Sequence, residues 1–210
     1  MDKTKLTIDA YNTCATNFES NFMDLKLYRD NLNRFIDLLP LKAKILDLGC
    51  GPGNIARLLL EKQKGFQVLG IDLSHEMINL AKKNVPSGTF QIGDIRDLSR
   101  LGNDFDAVIA AFSIVHLTND EAFSLIKNVD YLLKSKGLLY ISCIEGTNSD
   151  YLKTSFSPEK NIYFNYFSED FITSALTNNN FSLINNFTQD YPEPDGTTST
   201  ELFFYAQKRL

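Results

Sequence analysis

Cysteine is scarce in this chain. Cys14, Cys50 and Cys143 are three in number and far apart, with no C-x-x-C spacing and no cysteine–histidine cluster. A disulfide framework and a structural zinc site are thereby excluded as expectations, and no metal is expected. Long apolar runs are missing too. No window approaches the roughly 18 consecutive apolar residues of a membrane span. The opening Met1-Asp2-Lys3-Thr4-Lys5 is not followed by the apolar stretch of a signal peptide, so the expectation is a cytoplasmic protein with no membrane partner. Basic charge is not in excess: the net charge is −5 and the isoelectric point about 5.1. A chain of that balance lacks the electrostatic footprint that phosphate backbones attract, which makes nucleic acid a poor partner. There is no internal repeat and no low-complexity linker. At 210 residues the chain fits one domain, with at most a short appendage.

What is present is a change of rhythm near residue 40. Residues 1–40 read as largely helical. Phe22, Leu25, Leu27, Tyr28, Leu32, Phe35, Ile36 and Leu39 recur at three- and four-residue spacing, and predict one helix that Pro40 closes. The piece around 10–18 reads as a shorter helix or a loop. From Lys44 onward, short apolar runs alternate with helical segments. Strands are predicted at 44–48, 67–71, 89–92, 107–112 and 137–142. Helices are predicted around Ile55, Leu58 and Leu59, after a Ser74 cap, and from a Thr118–Glu121 capping box to about Leu133. Such alternation argues for a parallel sheet with helices on both faces, and ligands in such sheets bind outside the carboxyl ends of the strands. The end of the chain differs. A helix capped by Ser168 precedes two strands, 181–187 and 201–206, joined by turn material at 191–196. With no helix between them, these strands predict an antiparallel pair.

The chemistry concentrates in Asp47-Leu48-Gly49-Cys50-Gly51-Pro52-Gly53, three alternating glycines directly after a strand and before a helix. Glycines permit a tight turn and let a ligand press against backbone. A dinucleotide fold is one reading of such a loop. Its G-x-G-x-x-G fingerprint wants the third glycine one position later, where Asn54 stands. Asp72, after the second strand, suits a ribose diol in that reading. Asp47 suits it less, because a carboxylate beside a phosphate turn repels a pyrophosphate and favours a cationic ligand.

The stretch Ile45-Leu46-Asp47-Leu48-Gly49-Cys50-Gly51-Pro52-Gly53 resembles the first motif of the class I S-adenosylmethionine-dependent methyltransferases. Val68-Leu69-Gly70-Ile71-Asp72-Leu73-Ser74, Gly93-Asp94-Ile95 and Phe105-Asp106-Ala107-Val108-Ile109-Ala110 resemble that family's following segments. The resemblance covers roughly residues 40–208. It implies an α/β, Rossmann-like sheet of seven strands, mostly parallel with a C-terminal antiparallel pair. Helices would lie on both faces, with residues 1–40 a helical lid segment and 41–210 the methyltransferase domain. It implies S-adenosylmethionine as cofactor; with no insertion large enough for a macromolecule-binding domain and an acidic charge balance, a small-molecule acceptor is expected. By the same resemblance Gly49, Cys50, Gly51 and Gly53 line the amino-acid end of the cofactor, and Asp47 holds its α-ammonium side. Asp72 takes the ribose hydroxyls, Leu73 and Met77 flank the adenine, and Asp94 and Ile95 receive its edge. Ala111 and Phe112 lie near the sulfonium, and Tyr11 belongs to the lid. A nicotinamide-dependent oxidoreductase and a non-catalytic cofactor-binding protein of the same fold stay open as alternatives.

Two features bear on the acceptor. His116, past the fourth strand, is the one plausible imidazole base, and equally a packing residue at the start of the next helix. Residues 151–167 are rich in aromatics: Tyr151, Phe156, Tyr163, Phe164, Tyr166 and Phe167. They suit an apolar or planar acceptor, or a satellite hydrophobic cluster. Members of the resembled family that methylate amino groups on bases or amides often carry an Asn-Pro-Pro-Tyr type of motif after strand four; here the chain reads Ala111-Phe112-Ser113-Ile114, and oxygen, other nitrogen and inorganic acceptors all stay open.

Overall fold

The computed structural model describes residues 2–193 and 196–210. Its elements are α1 (Lys3–Phe22), α2 (Arg29–Asp37), β1 (Lys44–Leu48), α3 (Asn54–Glu61), β2 (Gln67–Asp72), α4 (His75–Asn84), β3 (Thr89–Ile92) and β4 (Phe105–Ala111). They continue with α5 (Asn119–Leu132), β5 (Leu133–Ile144), β6 (Ser149–Leu152), β7 (Ile162–Asn165), α6 (Glu169–Asn178), β8 (Phe181–Pro192) and β9 (Thr198–Lys208). Seven strands form one sheet in the order β3-β2-β1-β4-β5-β9-β8. The first five are parallel, and β9 runs antiparallel to both β5 and β8. The mostly parallel sheet with an antiparallel end is as the residues imply.

Both faces of the sheet are covered, and β4 shows how. Its Val108 and Ala110 pack with Ile126 and Val129 of α5 and Ile172 of α6. Ala107 and Ile109, pointing the other way, pack with Phe35 of α2, Leu58 of α3 and Ile78 of α4. A strand buried on both sides needs apolar residues at every position, which is why this segment reads as a continuous run. The chain reverses direction of growth between β1 and β4, so their carboxyl ends open a crevice at the switch point.

The N-terminal segment departs from expectation. The single helix predicted from Phe22 to Leu39 is two helices, because Leu25 adopts φ 51° and turns the chain between α1 and α2. The region around 10–18 is the middle of a 20-residue helix rather than a short one. Its buried residues are only Thr7, Ala10, Cys14 and Ala15, so apolar periodicity is weak. α1 lies over the ligand end of the sheet, with Ala10 and Cys14 packed on Phe156 and Ile162. The aromatic stretch also holds something unexpected, a separate two-stranded sheet of β6 and β7. Tyr191 and Pro192, read as turn, end β8 instead, and β8 and β9 are longer than predicted. Pro194 and Asp195 of that turn lie outside the described residues. No helix among the described residues is long and apolar enough to cross a membrane.

Candidate active site

The glycine loop after β1 takes three left-handed steps, with φ of 68° at Gly49, 51° at Gly51 and 87° at Gly53. Side chains rarely adopt these angles. Gly49 is also under a steric demand, since a Cβ there would stand 2.5 Å from the Ser113 Cβ. Gly53 starts α3 and lies against Ala81 and Val85 of α4, where a Cβ would meet both within 3.4 Å.

The backbone donors of this loop are already engaged. Gly49 and Cys50 both donate to the Ile71 carbonyl, at 2.8 and 3.0 Å. Gly53 donates to the Cys50 carbonyl at 3.1 Å. Gly51 donates to Asp72 Oδ2 at 3.0 Å, while Ser74 N donates to Asp72 Oδ1 at 2.8 Å. A pyrophosphate cradle needs free N–H groups converging on one point. The N–H groups of Gly49, Cys50, Gly51 and Gly53 are not free to form such a cradle, which weighs against the dinucleotide reading.

Below the turn, Asp47 is fully buried, and its Oδ2 has no hydrogen-bond partner among the described residues. Burial, with the nearby Asp72 carboxylate adding, pushes its pKa up to about 8. Burial also raises Asp72, against the two N–H bonds that favour its ionised form. Asp72 is thus held rigidly. Each of its oxygens accepts one backbone donor and keeps a second lone pair for a ligand.

A cavity of about 850 Å³ opens at this end of the sheet. Gly49, Gly51, Asp72, Leu73, Met77, Asp94, Ile95, Ala111, Phe112, His116 and Tyr11 all line it. The residues predicted from four separate strand ends and the N-terminal helix are therefore brought together. Asp47, Cys50 and Gly53 do not line it. Cys50 is buried, with its side chain against Gly70 of β2, and burial keeps the thiol well above its ordinary pKa. Asp94 lines the cavity while paired to Arg96, whose Nη2 donates to Asp94 Oδ2 at 2.6 Å.

α1 is tied down along its length. Lys3 pairs with Glu121 at 2.6 Å, and Arg96 Nη1 donates to Thr4 Oγ1 at 2.9 Å and to Glu121 at 3.2 Å. Burial opposes the Glu121 charge, but Lys3, the Thr118 N–H and Arg96 outweigh it and hold its pKa at about 2. Ser74 Oγ donates to Asn12 Oδ1 at 2.7 Å. Tyr11 stacks on Phe156, and its hydroxyl lies 3.0 Å from His116 Nε2. His116 Nδ1 is 2.8 Å from the Tyr163 carbonyl. A carbonyl only accepts, so Nδ1 carries the proton and Nε2 accepts from Tyr11. Burial holds the imidazole pKa down to about 4, so the ring is neutral at pH 7.

Of the aromatic stretch, Phe156, Phe164 and Tyr166 line the cavity. Tyr163 and Phe167 are core, and Tyr151 is exposed. Sequence reasoning missed Tyr28, Ser113 and Glu201, which also line it. The Tyr28 hydroxyl donates to Glu201 Oε1 at 2.8 Å across 173 positions of sequence. A lone charge at the head of an apolar strand was the one available signal for Glu201, and it reads equally as a solvated strand end.

The sequence model of the methyltransferase domain matches residues 45–137. The YqeM protein of Bacillus subtilis, named as a methyltransferase, is 42% identical over 106 residues, covering 48% of this chain and 42% of that one. The demethylmenaquinone methyltransferase of Thermotoga maritima is 31% identical over 119 residues, 57% of this chain and 50% of that one. The chain thus spans about half the length of these curated relatives. Among solved structures, magnesium protoporphyrin IX methyltransferase of Synechocystis with bound S-adenosylmethionine superposes with a TM-score of 0.72. Its identity is 20%, and the match covers 99% of this chain and 98% of that one. This likeness bears on the fold. With the glycine turn, the strand-end carboxylates and the sheet order also in place, residues 45–137 are similar to the methyltransferase domain, and the chain has the fold seen in S-adenosylmethionine-dependent methyltransferases.

Proposed function

We propose that this chain transfers a methyl group from S-adenosylmethionine to a small-molecule acceptor by in-line displacement. The observation that carries this reading is Asp72, pinned by Gly51 N and Ser74 N on the cavity wall with lone pairs to spare for a ribose diol. The residues present fit that cofactor. Asp47 Oδ2, buried without a partner, suits an α-ammonium group, directly or through water. Gly51 faces open space, where a Cβ would meet only Phe18, at 3.7 Å. Leu73 and Met77 offer an apolar wall for adenine, and Asp94 and the Ile95 backbone its polar edge.

When bound, the cofactor supplies an electrophilic methyl on a positively charged sulfur. The protein's part is to hold both reactants in line and to exclude water. Ala111 and Phe112, at the end of β4, take the reacting centre in this reading. Residues 1–40 act as a lid and 41–210 as the body that binds cofactor. His116, neutral and engaged at both ring nitrogens, serves as a positioning residue for Tyr11 rather than as the base. A cavity roofed by a helix tied down through Lys3, Thr4, Tyr11 and Asn12 suits a small acceptor better than a polymer.

Calorimetric titration with S-adenosylmethionine and S-adenosylhomocysteine tests the proposal. Binding of both in the micromolar range is expected, and no binding of either at millimolar concentration overturns it.

A further inference from the structure

The cavity extends across the sheet to β8 and β9, and the chemistry of its wall changes there. Two carboxylates, Glu193 and Glu201, line it together with the rings of Tyr28, Tyr140, Tyr166 and Tyr191. Glu201 is 5% exposed. Its Oε1 accepts from the Tyr28 hydroxyl, and its Oε2 has no partner among the described residues. Glu193 accepts from Ser199 Oγ at 2.7 Å. Neither carboxylate has an ion pair among the described residues. The cations elsewhere on the wall are Arg96, committed to Asp94 and Glu121, and the exposed Lys153.

A buried carboxylate oxygen left unpaired is costly, and a second carboxylate nearby makes it more so. Such a site is relieved by a hydrogen-bond donor with positive charge. The surrounding rings add to that preference, because aromatic faces attract cations. The wall also lies within reach of the reacting end: the Tyr28 ring centroid is 5.1 Å from that of Phe112. Phe112 holds φ 51°, a left-handed conformation unusual for a bulky residue, and packs its ring on Tyr28 and Phe203. Strain of this kind persists where surrounding structure demands it, and it gathers at functional sites.

We infer that the acceptor is an amine on an apolar or planar skeleton, whose nitrogen donates to Glu201 Oε2 and receives the methyl group. The inference rests on the methyltransferase reading above. An ammonium substrate gives one proton to the Glu201 carboxylate. The freed lone pair on nitrogen then forms the N–C bond, while the S–C bond breaks and its electron pair stays on sulfur. The products are a methylated ammonium and a neutral thioether. Burial foremost, and Glu193 beside it, raise the Glu201 pKa to about 7 against the Tyr28 hydrogen bond, which suits a group that takes up a proton near neutrality. A carboxylate acceptor, by contrast, meets two like charges at the same wall.

The test uses the full chain saturated with S-adenosylhomocysteine and titrated calorimetrically with matched pairs: benzylamine and benzoate, tyramine and 3-(4-hydroxyphenyl)propionate, tryptamine and indole-3-propionate. At least one amine is expected to bind tenfold or more tighter than its acid partner. Glu201→Gln is expected to weaken that amine at least tenfold while leaving the affinity for S-adenosylhomocysteine unchanged. Acids binding as well as amines, no amine binding at 10 mM, or an unaffected Glu201→Gln protein overturns the inference. If Glu201→Gln does not fold, the amine–acid comparison on the wild-type chain decides alone. Failure of wild type to bind S-adenosylhomocysteine overturns the methyltransferase reading instead.

Discussion

The Tyr11 hydroxyl donates to His116 Nε2 at 3.0 Å, joining the helix above the cavity to the strand end beneath it. The two residues are 105 positions apart. Because His116 Nδ1 is committed to the Tyr163 carbonyl, the ring cannot turn to find another donor for Nε2. The contact is therefore a latch of fixed polarity.

Tyr11→Phe keeps the ring that stacks on Phe156 and removes only the latch. Leaving a buried acceptor unpaired costs about 1 kcal/mol. The expected outcome is a modest loss of stability in denaturant titration and faster release of S-adenosylhomocysteine in stopped flow. An unchanged release rate shows that α1 does not gate the cavity.

Asp47 gives the apo protein a pH signature. Its folded pKa of about 8 lies above the ordinary carboxylate value of 3.8. Between those values the folded state holds the proton and the unfolded state does not. Stability from this group is full below about pH 4 and is lost as pH rises toward 8. Asp72 and Cys50 are the titratable neighbours; the Asp72 charge favours Asp47 neutral, and Cys50 is held as an uncharged thiol. A ligand ammonium reverses that preference, so binding of S-adenosylmethionine at pH 7 is expected to release a proton. Calorimetry in buffers of different ionisation enthalpy reads this directly, and Asp47→Asn should abolish the release.

Gly49 and Ser113 form a second pair that must be read together. Gly49→Ala places a methyl 2.5 Å from the Ser113 Cβ at a backbone angle of 68°. Strain from the angle alone costs about 1 kcal/mol, and overpacking adds roughly 1–3. Gly49→Ala is expected to destabilise markedly. Adding Ser113→Gly removes the overlap but not the angle, so the double variant should recover part of the loss. A double-mutant cycle measures the coupling, and strict additivity would show that the overlap is relieved another way.

The parts of the site that were legible in the sequence are those with local causes. A left-handed turn demands glycine, and a short apolar run ending in Asp72 marks a largely buried strand and its mouth. Other parts have causes that are not local. Glu201 reaches the cavity because β9 docks antiparallel on β5, placing it opposite Ile144. Nothing near Tyr28 announces its partner. α1 escaped prediction as one continuous helix because it roofs a cavity instead of a core, and few of its residues are buried. The break at Leu25 has no signature at all, since leucine is not a residue that favours φ 51°. The β6–β7 pair sits in a stretch whose aromatics signalled burial without showing a period.

In the proposed reading Asp72 and Gly51 serve the same ligand by different means, and their variants should fail differently. Asp72→Ala deletes the acceptor for Gly51 N and Ser74 N and also the candidate ribose partner. Cofactor affinity is expected to fall at least tenfold, by about 1.4 kcal/mol or more. Asp72→Asn keeps one acceptor oxygen but turns an amide donor toward the other N–H, so its affinity should fall between wild type and Ala. In Gly51→Val the carboxylate and its bonds to Ser74 remain. The branched side chain enters the open space beside Phe18 at a backbone angle of 51°, blocking the ligand and straining the turn. It too should lose at least tenfold in affinity, with a stability loss that persists without ligand. Calorimetry paired with denaturant titration separates the two cases. Wild-type affinity in both variants would place the cofactor elsewhere in the cavity.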